Sequence, residues 1–246
     1  RGAVLARNGA CWWQSRQKRG SVSRRMRPAN ADSRKKMWQV VQRMADQGLV
    51  SGASGNASLC LERKGYDQGL VMITPTQLPY SQMVPEDLVV IDFQGDTVEG
   101  DLVPSTETGA HLSVYRARRD INAVVHTHSV YASMLAVAGR DLPPILDELV
   151  VTVGGTVKVA EYGFPGSEEL AREACLALGD RKAVLLRNHG LLGAGSTAQE
   201  ALHICELVER AAQVFLGASM LGRVNLLSPE TIQAEMSIYR MKLGQA

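Results

Sequence analysis

Val124-Val125-His126-Thr127-His128 ends an apolar run with two histidines one residue apart. On a strand successive side chains alternate faces, so His126 and His128 project from the same side, at the spacing two imidazoles need to share a metal ion. Burying two imidazoles on one face is costly unless something binds both. Working outward, Asn188-His189-Gly190 offers a third imidazole downstream and Ser105-Thr106-Glu107 a carboxylate upstream. Three nitrogens and one oxygen form a set that zinc favours and other divalent transition ions accept. His111, four residues after Glu107 on the same helix face, competes as a ligand but is expected to be structural or to support the ligands; His203 reads as a packing or surface residue.

The length of 246 residues suits one large domain or two small ones and needs no staple to fold. An apolar content of 45% is that of an ordinary globular protein, and no run reaches the roughly eighteen apolar residues of a membrane helix. The four cysteines Cys11, Cys60, Cys175 and Cys205 form no Cys-x-x-Cys pair, which points to free thiols in a reducing, cytoplasmic setting. The formal net charge of +2 is uneven, because seven Arg or Lys and no acid fall in residues 1–25. The remainder carries 20 basic against 25 acidic residues, a balance that disfavours nucleic acid as a partner.

Residues 1–31 lack periodicity and are rich in Arg, Ser and Gln, so they read as a basic, disordered leader, with an organelle presequence as the rival and no apolar segment for secretion. Residues 32–246 read as one domain. Met37, Val40, Val41 and Met44 mark a first helix capped by Asp32 or Ser33 and stopped at Gly48. The small-residue loop Ser51-Gly52-Ala53-Ser54-Gly55-Asn56-Ala57-Ser58 is either a plain turn or an anion cradle. Strands are expected around 58–61, 71–74, 88–93, 97–98, 123–128, 149–153, 157–160 and 183–187, with 97–98 returning as a hairpin partner so that the sheet is partly antiparallel. One helix is expected after Pro104-Ser105-Thr106-Glu107, carrying His111, Leu112, Val114 and Tyr115 with Ser105 or Thr106 near its N-terminus, and others at 130–138, 167–178, 197–217 and 229–243. Without strict β-α-β alternation, this is a mixed α/β domain with helices on both sheet faces.

The order Ser54-Gly55-Asn56, Thr74-Pro75-Thr76, Pro104-Ser105-Thr106-Glu107, His126-Thr127-His128 and Asn188-His189-Gly190-Leu191 resembles the class II aldolase/adducin family, over about residues 33–245. The resemblance implies a single three-layer α/β domain with a mostly antiparallel central sheet. It implies a homotetramer with active sites at subunit interfaces, and a zinc ion held by His126, His128 and His189. Glu107 would lie on or beside the metal and act as the acid/base. The reaction implied is cleavage of a (deoxy)ketose 1-phosphate, such as L-fuculose 1-phosphate, to dihydroxyacetone phosphate and an aldehyde. The phosphate would meet Gly55, Asn56, Thr76, Gln77, Ser105 and Thr106, and no membrane or nucleic-acid partner is implied.

The chain departs from the family pattern in places. Gln77 stands where fuculose-phosphate aldolase continues its phosphate turn with Gly. Asp147 falls near the place of that aldolase's catalytic tyrosine, and Glu148 could match a glutamate of methylthioribulose-phosphate dehydratases. Ribulose-phosphate 4-epimerase uses an aspartate in the same region, so a dehydratase or an epimerase on the same scaffold stays open. Tyr239 is about one turn early for the family's C-terminal tyrosine. Glu107 favours the aldolase branch, because the epimerases carry Asp there. A non-catalytic adducin-like interaction module is a remote alternative, opposed by the intact histidines and Glu107.

Overall fold

A computed structural model describes residues 30–244; the proposed leader falls outside these residues except for its last two positions. The first helix, α1, spans Ala31–Asp46, and Asn30 precedes it without a side-chain cap. The expected caps therefore lie inside it: Asp32 occupies the first turn, where a carboxylate favours the positive end of the helix dipole. The strands are β1 (Asn56–Arg63), β2 (Gly69–Ile73), β3 (Val89–Asp92), β4 (Thr97–Glu99), β5 (Ala123–Thr127), β6 (Lys158–Ala160), β7 (Ala183–Leu186) and β8 (Gly190–Gly195). The remaining helices are α2 (Thr108–Ala117), α3 (Val130–Ala138), α4 (Asp147–Val153), α5 (Glu168–Leu178), α6 (Ala198–Leu221) and α7 (Pro229–Lys242).

One eight-stranded sheet runs β4-β3-β2-β1-β5-β8-β7-β6. Only the β6–β7 edge pair is parallel among these strands. Alternation along the strands sends two sets of apolar side chains to opposite faces. Ala57, Met72, Ala123, Val125, Leu185 and Leu191 meet residues of α1, α3, α4 and α6 on one side. Val71, Ile73, Val89, Ile91, Val124, Val184 and Leu192 meet Leu112, Val114 and Tyr115 of α2 and Leu170, Ala174 and Leu178 of α5 on the other. The result is the single α/β domain of three layers, with a mostly antiparallel sheet, that the motif order implies.

The expected strand at 149–153 is instead helix α4, Asp147–Val153. Its Val-Val-Thr-Val run favours a strand by local propensity, yet Leu149, Val150 and Val153 are buried at helical spacing. Asp147 and Glu148 suit a helix N-terminus, and Gly154, at φ 98, supplies the left-handed stop. Two other helices are capped by Ser167 and Ser228, each accepting a backbone N–H three residues on. Among the described residues no helix is long and apolar enough to cross a membrane. Cys60, Cys175 and Cys205 are free thiols.

Candidate metal centre

The three candidate histidines and Glu107 gather at one end of the sheet, where β5 ends, β1 begins and β7 turns into β8. His126 is the penultimate residue of β5 and pairs in register with Asn56 on β1 and Leu192 on β8. His128 follows just beyond the strand, its backbone N–H donating to the Leu49 carbonyl at 3.0 Å. His189 is delivered by the tight turn between β7 and β8, where Asn188 takes a left-handed backbone at φ 55 that Asn tolerates better than most residues. A Cβ at Gly190 would collide with the Thr127 carbonyl oxygen and stand 3.2 Å from His128 and 3.3 Å from His126, so only glycine lets the turn close on the other histidines.

The three rings converge by their Nε2 atoms. His126 Nε2 lies 2.9 Å from His128 Nε2 and 3.3 Å from His189 Nε2. The ring planes are inclined by 66–71° to one another, so the rings do not stack. A tetrahedral ion with metal–nitrogen bonds of about 2.0–2.1 Å would set its ligands about 3.3 Å apart, close to these separations. His126 Nδ1 donates to the Leu191 carbonyl at 2.9 Å, which fixes the neutral tautomer and leaves the Nε2 lone pair facing inward.

Glu107 immediately precedes α2 but does not cap it with its side chain. Its carboxylate turns to the histidines instead, Oε2 lying 3.2 Å from His126 Nε2 and Oε1 3.2 Å from His189 Nε2. Lone pairs and a carboxylate packed this closely repel unless a cation or protons lie between them. This donor set, three imidazole nitrogens and one carboxylate, fits a divalent transition ion.

The electrostatics follow from burial and proximity. Burial, the largest influence, lowers the His126 pKa to about 4 despite the opposing Glu107 carboxylate. His128 is lowered by burial and by His189. Burial raises Glu107, but His126, His189 and a hydrogen bond from Asn56 outweigh it, so the carboxyl sits below the usual carboxylate range. Neutral imidazoles at His126 and His128 and an ionised Glu107 are thus favoured, the protonation states a metal requires.

The hydroxyl-rich turns adjoin this centre. Gly55, at φ 70, lies so close to β5 that a Cβ would stand 2.6 Å from the His126 carbonyl oxygen. The buried Tyr80 holds this loop by donating from its hydroxyl to the Gly55 carbonyl at 2.7 Å. The Ala57 N–H donates to Thr74 Oγ1 at 3.2 Å and the Ser105 N–H to the Thr74 carbonyl at 3.1 Å, which joins the three turns. Ser105 is buried beside Glu107, whereas Thr106 and Gln77 are exposed. Gln77 holds a left-handed backbone at φ 62, the conformation for which glycine is suited.

Asn56 departs from its expected place among free phosphate donors. Its Nδ2 donates to Glu107 Oε2 at 2.7 Å and its Oδ1 meets His111 Nε2 at 2.5 Å, so both ends of the carboxamide are engaged. Asp147, Glu148 and Tyr239 are not brought to the histidines within the chain. Glu148 pairs with Arg210, and Asp147 neighbours Glu235. Tyr239 is buried and donates to the Asp180 carbonyl at 2.7 Å. His203 is exposed, 3.8 Å from Glu206. Ser58, read from sequence as the end of the small-residue loop, and Tyr80 and Tyr115, not singled out there as site residues, support the site. The spacing Glu107, His111, Tyr115, every fourth residue along one helix face, was the available signal for the last of them.

The segment that builds this sheet and histidine cluster has a family match: residues 35–216 match the Class II Aldolase and Adducin N-terminal domain, and the chain belongs to that family. It is 38% identical over 192 residues to 5-deoxy-D-ribulose 1-phosphate aldolase of Bacillus thuringiensis serovar kurstaki, covering 78% of this chain and 88% of that one. It is 34% identical over 198 residues to L-fuculose phosphate aldolase of Escherichia coli K12, covering 80% and 89%. A solved L-fuculose 1-phosphate aldolase superposes with a TM-score of 0.79 at 32% identity, covering 85% of this chain and 97% of the other.

Proposed function

We propose that this chain is a zinc-dependent aldolase that cleaves the C3–C4 bond of a deoxyketose 1-phosphate, of the 5-deoxyribulose or fuculose type, to dihydroxyacetone phosphate and an aldehyde. The observation that carries the reading is the convergence of the His126, His128 and His189 Nε2 atoms on the Glu107 carboxylate. The relatives named as aldolases for those two sugars support the substrate class.

A divalent ion held by these histidines would supply a Lewis acid for the enediolate charge that develops when the bond breaks, a contribution of several kcal/mol. The chain's own residues do the rest. Glu107, ionised in its buried setting, can accept the proton that leaves the C4 hydroxyl as the C3–C4 bond breaks, directly or through the second acid/base, and give it to C3 of the enediolate. Gly55, Gln77 and Thr106 would offer N–H groups and Thr76, Ser105 and Thr106 hydroxyls to the phosphate, the Thr76 and Ser105 N–H groups being taken by the Val103 and Thr74 carbonyls. Asn56 serves Glu107 in this reading. The second acid/base is assigned to none of Asp147, Glu148 and Tyr239 within one chain, which leaves room for a contribution from another subunit.

The reading includes self-association as a homotetramer with the site at the interface. Val130, Met134 and Val137 support it, an exposed apolar row on α3, the helix that follows His128. It also places the protein in the cytoplasm with a small sugar phosphate as its partner. The zinc-loaded protein, given a panel of ketose 1-phosphates, is expected to release dihydroxyacetone phosphate, to stop on chelation and to recover on adding zinc. A fully metallated protein that yields no carbonyl fragment from any of them overturns the aldolase reading. Product mass then separates the alternatives, since loss of water marks a dehydratase and an unchanged mass an epimerase.

A further inference from the structure

Behind Glu107 and Asn56 lies a buried chain of hydrogen bonds whose further members, His111, Ser58 and Tyr115, the proposed chemistry does not use. Tyr115 Oη is 2.6 Å from Ser58 Oγ, which is 2.7 Å from His111 Nδ1. His111 Nε2 is 2.5 Å from Asn56 Oδ1, and Asn56 Nδ2 is 2.7 Å from Glu107 Oε2. Ser58 and Tyr115 are fully buried, and His111 is 1% exposed.

The direction of every bond follows from one end. An ionised carboxylate only accepts, so Asn56 must present its NH₂ to Glu107 and its oxygen to His111. That oxygen needs a donor, so the His111 proton sits on Nε2 and Nδ1 is left as an acceptor. Ser58 therefore donates to Nδ1, and Tyr115 donates to Ser58 Oγ. Each group is satisfied in one arrangement, and reversing the Asn56 amide would set oxygen against carboxylate in a dry site.

We infer that His111 is a positioning residue for Glu107: neutral and protonated on Nε2, it fixes the Asn56 carboxamide, which in turn holds the acid/base carboxylate toward the metal histidines. Burial, the largest influence, lowers the His111 pKa to about 3, in keeping with a permanently neutral ring. Ser58 and Asn56 stand two residues apart on β1, and Glu107, just before α2, stands four residues from His111 and His111 four from Tyr115 within it. The two elements face each other, so the relay is built into the packing of helix on sheet. This inference rests on the catalytic role of Glu107 proposed above.

The test has two parts. Proton–nitrogen correlation spectra of the metal-free protein with isotope-labelled histidine should show His111 protonated on Nε2 and bare on Nδ1. This needs no substrate, so it decides the relay even if the aldolase reading fails. A His111 protonated on Nδ1 overturns the inference.

In the zinc protein, His111→Leu should lower kcat roughly 10–100-fold, the range for groups that orient metal-site residues, with KM within about twofold and metal content unchanged. His111→Gln, which keeps an N–H donor at the reach of Nε2, should recover most of that loss. Wild-type kcat in His111→Leu, or equal losses in the Leu and Gln variants, overturns the inference. Should His111→Leu fail to fold, Ser58→Ala decides, because it leaves Glu107 and Asn56 untouched. It should lower kcat by roughly five- to thirtyfold, and unchanged turnover overturns the proposal.

Discussion

His126 donates from Nδ1 to the carbonyl of Leu191 at 2.9 Å, a bond across the β5–β8 pair that orients the ring before any ligand arrives. The Nε2 lone pair is thereby aimed at His128, His189 and Glu107. The site is preorganised by sheet register, and its behaviour can be anticipated from that.

Removing a ligand should remove the metal. His128→Ala leaves two imidazoles and a carboxylate, and zinc content by elemental analysis should fall from near one per chain to a small fraction. Full occupancy would mean that the ligand set is wrong.

Glu107→Gln keeps the shape and the Asn56 contact but removes the proton acceptor. Metal should be retained while kcat falls by roughly 10²–10⁴, the usual contribution of a positioned acid or base. Retained turnover would move the acid/base role elsewhere.

Gly190→Ala tests the tight turn. The added methyl meets the Thr127 backbone carbonyl, which cannot rotate away, and lies 3.2 Å from His128. A destabilisation of about 1–3 kcal/mol in denaturant unfolding is expected, together with weaker zinc binding by titration. Wild-type stability and zinc affinity would show that the turn can relax.

Acid should weaken the metal-free fold from a known side. His126 and His111 have pKa values lowered from 6.5 to about 4 and about 3, so below 6.5 the unfolded chain binds protons that the folded one refuses. Their contribution to stability is present above 6.5 and declines as pH falls toward those values, at up to about 1.4 kcal/mol per unit for each group. Glu107, also lowered, acts in the same direction below the usual carboxylate range. Urea unfolding across this window should show the decline, and His111→Gln should flatten it; a pH-independent free energy would contradict the buried, neutral histidines.

Zinc should oppose that loss by binding the folded state alone. At a free concentration 100 times its dissociation constant, the ion adds about 2.7 kcal/mol and raises the melting temperature. A chelator should reverse the shift, and a melting temperature insensitive to both would argue against a site in this cluster.

Much of this was legible in the residues themselves. Helix α3 spans Val130–Ala138 and stops at Gly139, as its apolar run and glycine require, and α7 starts behind the Ser228 cap. Helix α4 was not legible, because a β-branched run favours a strand locally and only its burial at helical spacing overrides that. The engagement of Asn56 was hidden for a related reason: a carboxamide in a Gly/Ser loop looks free until its cross-strand partner and the facing helix are known.

Sequence by itself determined the candidate ligands and their order, because His-x-His on a strand, a histidine at a strand end and a glutamate at a helix start are local facts set by periodicity. The tertiary structure decided that three distant segments meet with Nε2 atoms 2.9 and 3.3 Å apart, since β5 lies between β1 and β8 in the sheet. It also decided that Ser58, His111 and Asn56 stand behind Glu107, and that Asp147, Glu148 and Tyr239 are engaged elsewhere in the chain. Convergence of this kind depends on strand order and on which helix covers which face, and both are settled by the packing of the whole core.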